Sequence, residues 1–91
     1  MKYVVCYDVQ ETKIRNQVIK CLQSYAYRIQ YSVFIGDGTL KEIRELQKKL
    51  ENIVADSEKP RLLVLILSEE CVQKSWSYGM PLEEKKNFVM A

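Results

Sequence analysis

Ninety-one residues, 47% of them hydrophobic and 29% charged, describe one globular domain and argue against a disordered chain. Fourteen Lys and Arg against twelve Asp and Glu leave a net charge of +2, too small for bulk charge alone to mark a nucleic-acid binder. Histidine is absent, which removes Ser-His-Asp and Cys-His nucleophiles, imidazole acid–base catalysis and imidazole metal ligands. A chain this short buries only about 60 to 65% of its unfolded surface, so pairing with a second copy would add stability. Cys6, Cys21 and Cys71 are far apart and form no C-x-x-C pair. That argues against a disulfide framework or a zinc site and for small buried hydrophobes in a reducing compartment. The longest apolar run, Leu62 to Leu67, falls far short of a membrane span, and a cytoplasmic location is expected.

Lys2 to Val9 is rich in Val and Tyr and apolar at nearly every position, the pattern of a central strand covered on both faces. From Glu11 to Tyr25, Ile14, Val18, Cys21, Leu22 and Tyr25 recur at spacings of three and four and predict a helix. Tyr27 to Gly36 returns to strand chemistry and ends in Gly36-Asp37-Gly38. It has room for two very short strands with a turn near Gln30 to Ser32, or for one bent strand. Thr39 and Glu42 form a capping-box pair that opens a second helix, with a stripe of Leu40, Ile43, Leu46, Leu50, Ile53 and Val54. Leu62 to Leu67 predicts another buried strand. Ser68 to Lys86 is polar and broken by Gly79 and Pro81, and Asn87 to Met90 suits a short terminal strand. This order is that of an α+β, ferredoxin-like β-α-β-β-α-β sandwich forming a single domain over residues 1–91.

Asp8 ends the first strand, and two readings compete for it. As a helix N-cap it has Glu11 three residues on, at capping-box spacing. As a functional group, it shares side-chain parity with Val4 and Cys6 where the strand leaves the core, and a carboxylate there gains from a cation. Mg²⁺ needs only one or two carboxylates plus waters and phosphate oxygens, so a two-fold axis pairing two copies of Asp8 would suffice. Such a metal lowers the pKa of a bound water and polarises a phosphodiester without histidine.

Tyr7-Asp8 closing a Val-rich strand, Lys13 and Arg15 opening the helix, Tyr25 closing it, and Arg28-Ile-Gln-Tyr-Ser-Val-Phe-Ile-Gly36 together resemble the CRISPR-associated protein 2 family. The likeness covers residues 2 to about 50 well and the tail in outline. It implies a ferredoxin-like homodimer in which an extra C-terminal strand, within about 79–91, packs on the partner's sheet. It also implies a turn at Gln30 to Ser32, and Asp8 as catalytic residue and as ligand of a Mg²⁺ or Mn²⁺ ion shared with the partner's copy. The implied activity is metal-dependent endonuclease action on RNA or double-stranded DNA, within CRISPR spacer acquisition beside the larger integrase protein. A DNA-bridging scaffold without catalysis, or an unrelated ferredoxin-like interaction module, are the alternatives. Arg15 stands beside Asn16 where the family has paired arginines, Ala26 replaces a common glycine, and Ile35 a frequent acid.

Lys13, Arg15 and Lys20 on the first helix are placed to track a nucleic-acid backbone by charge, against the reading of a merely solvated face. Arg28 is either a phosphate contact or a solvated or ion-paired strand residue. Tyr7, Ser32 and Phe34 are expected to support the site, Phe34 by packing. Tyr3, Tyr7, Tyr25, Tyr27 and Tyr31 suggest base stacking, but core or interface packing is the preferred reading. Trp76 is not assigned to an element, and burial against the sheet or at a dimer interface is preferred for it over ligand binding.

Overall fold

Alternation along the first strand decides the layers. In β1 (Lys2–Asp8), Tyr3, Val5 and Tyr7 are buried while Val4 and Cys6 are half-buried and Asp8 is exposed. The computed structural model describes residues 1–79. After β1 come α1 (Thr12–Gln23), β2 (Ala26–Gln30), β3 (Val33–Asp37), α2 (Leu40–Ile53), β4 (Arg61–Leu67) and α3 (Glu69–Lys74). The strands form one antiparallel sheet in the order β2-β3-β1-β4. Because α1 joins β1 to β2 and β3 fills the gap between them, the chain has the expected ferredoxin-like topology. The hairpin is two strands joined at Tyr31-Ser32, which discards the single bent strand.

The core is built from the helix-facing side of the sheet and the inner stripes of the helices. Val18 and Leu22 of α1, and Ile43, Leu46 and Leu50 of α2, close over Tyr3, Val5, Tyr7 and Phe34. Leu22, Leu46, Leu50 and Phe34 are fully buried, each stabilising the fold by about 1.5–3 kcal/mol relative to exposure. The Thr39–Glu42 capping box is present: the Thr39 hydroxyl accepts from Glu42 N–H at 3.1 Å, and Glu42 Oε1 accepts from Thr39 N–H at 2.8 Å.

Several expectations change. The strand β1 is central, but the described helical core covers only one of its faces. Asp8 is not a helix cap, because α1 begins at Thr12 with Glu11 in the N-cap position. The physical cause is Val9, which continues the inward parity of Val5 and Tyr7 and is itself buried. The chain therefore stays extended past Asp8 before it can turn. β4 is not a buried strand: as an edge strand it leaves Leu63 and Leu65 about half exposed on the helix-free side. The polar stretch after it contains a short helix that sequence periodicity missed, because α3 has only six residues. It is marked instead by local signals: Ser68 Oγ accepts from Cys71 N–H at 3.1 Å, and Glu70 pairs with Lys74 at 2.9 Å. Cys71 is exposed rather than buried, Cys6 and Cys21 are half-buried, and all three cysteines are free. Trp76 is exposed in the single chain and so is not packed against the sheet. The terminal strand expected at 87–90, and all but the first residue of the dimer-packing segment expected at 79–91, lie outside the described residues.

Candidate metal and nucleic-acid site

The end of β1 and the β2–β3 turn meet because β3 pairs with β1. The register Val5↔Phe34 and Cys6↔Val33 brings Ser32 level with Tyr7, whose N–H donates to the Ser32 carbonyl at 3.1 Å. An open groove of about 580 Å³ results, lined by Tyr7, Asp8 and Val9 from β1 and the residue after it, Arg15, Asn16 and Ile19 from α1, and Arg28, Tyr31 and Ser32 from the hairpin. Asp8 sits opposite Arg61 in the β1–β4 ladder. Its exposed carboxylate accepts no hydrogen bond and joins no ion pair among the described residues. A carboxylate left with open lone pairs is available to a cation or to a substrate group.

Both arginines of the groove are held by backbone carbonyls. Arg15 Nη1 donates to Val9 O at 3.0 Å and Gln10 O at 3.2 Å, and its Nη2 donates to Thr12 Oγ1 at 3.2 Å. It thus fixes the loop that leaves Asp8. Arg28 donates from Nε at 3.1 Å and from Nη2 at 2.8 Å to Tyr31 O. Its guanidinium lies 5.5 Å from the Tyr31 ring centroid and 5.9 Å from that of Phe34. Arg28 is therefore neither simply solvated nor, among the described residues, paired with a carboxylate. A guanidinium carries five N–H groups, so each side chain keeps donors for an anion after these bonds. Tyr7 Oη donates to the same Tyr31 carbonyl at 3.0 Å.

The remaining sequence-predicted residues fall into separate places. Ser32 lines the groove, whereas Phe34 is fully buried beneath it with its ring centroid 6.2 Å from that of Tyr7. Lys13 and Lys20 are exposed on the outer side of α1, outside the groove lining. Of the five tyrosines considered for stacking, Tyr3 and Tyr7 are buried and Tyr25 and Tyr27 half-buried, but Tyr31 is 88% exposed. Sequence reasoning missed the role of Glu11, whose carboxylate accepts from the Ser57 hydroxyl at 2.6 Å and from Glu58 N–H at 3.0 Å. These bonds tie the loop before β4 to the loop after Asp8. The Ser57 hydrogen bond, with that from Glu58, lowers the Glu11 pKa below the usual carboxylate value. No signal in the sequence links positions that far apart.

No cluster of three or more His, Cys, Asp or Glu side chains occurs among the described residues. Among the described residues the groove is lined by one carboxylate, Asp8, which suits Mg²⁺ or Mn²⁺ only as part of a coordination sphere completed by waters, substrate or a second copy.

The family model described as CRISPR associated protein Cas2 matches residues 1–75. The chain belongs to the Cas2 family. It is 35% identical over 75 residues to a protein of Methanospirillum hungatei named CRISPR-associated endoribonuclease Cas2 1, a match covering 79% of this chain and 76% of that one. A protein of the same name from Synechocystis is 30% identical over 94 residues, 99% of each chain. Among solved structures, a chain of a partial Cas6-RT-Cas1–Cas2 complex superposes with a TM-score of 0.73 at 28% identity, over 84% of this chain and 88% of that one. Of the segments that carry the Cas2 resemblance, Tyr7 and Asp8 of one and Arg28, Tyr31 and Ser32 of the other line the same groove.

Proposed function

We propose that this Cas2-family chain is a cytoplasmic CRISPR adaptation protein that acts as a homodimeric, Mg²⁺-dependent endonuclease on RNA or double-stranded DNA beside a Cas1-type integrase. The observation that carries this reading is the exposed Asp8 carboxylate, without a partner among the described residues, in a groove with two anchored guanidinium groups. The endoribonuclease names of its relatives support the chemistry, and the Cas1–Cas2 complex supports the partner. Val4, Cys6, Leu63 and Leu65 give the Asp8 side of the sheet an apolar surface suited to a second copy, and a two-fold axis there would bring a second Asp8 to the same ion. Mn²⁺ would satisfy the same donors.

A divalent ion bound there supplies a water of lowered pKa and positive charge beside the phosphodiester. The chain's own residues do the rest. Asp8 provides the oxygen ligand, Arg15 and Arg28 neutralise phosphate with their spare N–H groups, and Tyr7 holds the hairpin turn in register. A non-catalytic, DNA-bridging role is the second reading, favoured by Asp8 being the one carboxylate among the described residues that line the groove and by arginines that are anchored for binding.

Wild type and Asp8→Ala, incubated with single-stranded RNA and duplex DNA with and without Mg²⁺, separate the two. Metal-dependent cleavage lost in a variant that stays dimeric supports the enzyme. Salt-sensitive duplex binding without cleavage in the wild type supports the scaffold. A chain that remains monomeric at high concentration would overturn the shared metal site.

A further inference from the structure

Tyr31 departs from the other strand tyrosines because of where the chain turns. It stands at the tip of the β2–β3 hairpin with its ring open to solvent, yet its main chain is tightly held. Its carbonyl accepts from Tyr7 Oη and from both Arg28 Nε and Nη2, all within 3.1 Å. The Arg28 guanidinium lies 5.5 Å from the Tyr31 ring centroid, within cation–π range. The turn is anchored before any ligand arrives, so less ordering is left to oppose binding.

The Arg28–Tyr31 pair is also shared by two cavities. One is the groove that contains Asp8, and the other is a cleft of about 340 Å³ lined by Arg28, Ile29, Gln30 and Tyr31. A flat, uncharged group against the ring would place its flanking anionic links near the guanidinium and the Asp8 groove. Base–aromatic stacking meets these requirements with any base, since every base has a π-face. Duplex interiors do not, because each base face is already covered by its neighbours.

We propose that Tyr31, backed by Arg28, is a stacking platform for an unpaired nucleobase, so that the groove engages single-stranded or frayed nucleic acid in preference to intact duplex. This rests on the nucleic-acid reading of the Asp8 groove and specifies its substrate. Unpaired RNA and unpaired DNA present the same stacking face, and separate arms of the test distinguish them.

The test uses full-length wild type, Tyr31→Phe and Tyr31→Leu. Each is titrated with a 12-nucleotide RNA and a 12-nucleotide DNA, both carrying 2-aminopurine, and with a blunt duplex of the same sequence. All three proteins keep the Tyr31 carbonyl and its hydrogen bonds, and circular dichroism checks the fold. Tyr31→Phe should bind as wild type does and quench 2-aminopurine. Tyr31→Leu should lose roughly five- to a hundredfold in single-strand affinity, together with the quenching, while duplex affinity and salt slope stay unchanged. RNA weakened but not DNA, or the reverse, would name the natural strand. Single-strand affinity within twofold of wild type in Tyr31→Leu, or wild-type binding to duplex alone, overturns the platform and leaves the nucleic-acid reading standing. Wild type that binds none of the three probes overturns both.

Discussion

Tyr7 donates its phenolic hydrogen to the Tyr31 carbonyl at 3.0 Å, which joins the residue beside Asp8 to the tip of the β2–β3 hairpin. The same carbonyl accepts two bonds from Arg28. Tyr7→Phe therefore removes a donor without orphaning the acceptor, and the loss should be that of one ordinary hydrogen bond, about 0.5–1.5 kcal/mol. Urea denaturation should show a lower midpoint at unchanged slope. A loss above about 3 kcal/mol would mean that the Tyr7 hydroxyl supports more of the core than this one contact.

Gly36 faces Ala26 across β3 and β2 and lies beneath the Tyr3 ring. A Cβ at position 36 would sit 2.6 Å from Tyr3 Cζ and Oη and 3.0 Å from Ala26 Cβ, so the ring would have to move. The Tyr3 phenol is confined enough that burial, with smaller contributions from Glu42, Tyr25 and Asp37, pushes its pKa up to about 12. Gly36→Ala should destabilise the fold by about 1–3 kcal/mol, the usual range for overpacking. Tyr3→Phe keeps Cζ and should not relieve it. Tyr3→Val removes the clashing atoms, so the double variant should lose less than the sum of the two single changes. Additive losses would show that the glycine answers to something other than the ring.

The parts of this molecule that were legible in the sequence are those set by near neighbours. Thr39 and Glu42 cap α2 because the two groups lie three residues apart, and the inward parity of Tyr3, Val5 and Tyr7 follows from strand geometry. Parity also placed Asp8 on the side of Val4 and Cys6. Parity could not show that the chain runs on to bury Val9 before it turns, which is why the capping alternative for Asp8 looked attractive. The carbonyl anchors of Arg15 and Arg28 were not legible, because main-chain acceptors carry no sequence signature. Tyr31 reads like Tyr27 until the hairpin puts one on a strand and the other at the tip. Leu63 and Leu65 are as apolar as a buried strand requires, and only the sheet order reveals that they lie at an edge.

Glu11 gives the protein an acid-sensitive contact beside the site. Its carboxylate accepts from the Ser57 hydroxyl and the Glu58 N–H, and those bonds lower its pKa in the folded state. A carboxyl with a depressed folded pKa binds fewer protons than it does when unfolded. Its contribution is therefore complete above the unfolded value near 4.3 and fades as pH falls through the folded one. Glu11→Gln removes the ionisable group, so stability measured by urea from pH 6 to pH 3 should fall less steeply than in wild type. The two curves should converge at the acid end. Parallel curves would show that other carboxylates carry the acid limb.

Lys13 and Lys20 test whether the nucleic-acid surface extends beyond the groove. Both are exposed on α1, with Asn16 and Gln17 between them one turn from each, and Asn16 itself lines the groove. A backbone leaving the groove along the helix would pass both lysines. Each phosphate contact contributes about 0.9 to the logarithmic salt slope of duplex binding. Changing both lysines to alanine should then lower that slope by about two and weaken binding most at low salt. Because neither side chain packs in the core, unfolding free energy should stay within about 0.5 kcal/mol of wild type. Cleavage by the bound complex should also persist, since neither residue reaches the Asp8 groove. A salt slope that does not change would confine phosphate contacts to Arg15, Arg28 and other cations, and would make the outer row of α1 an ordinary solvated surface.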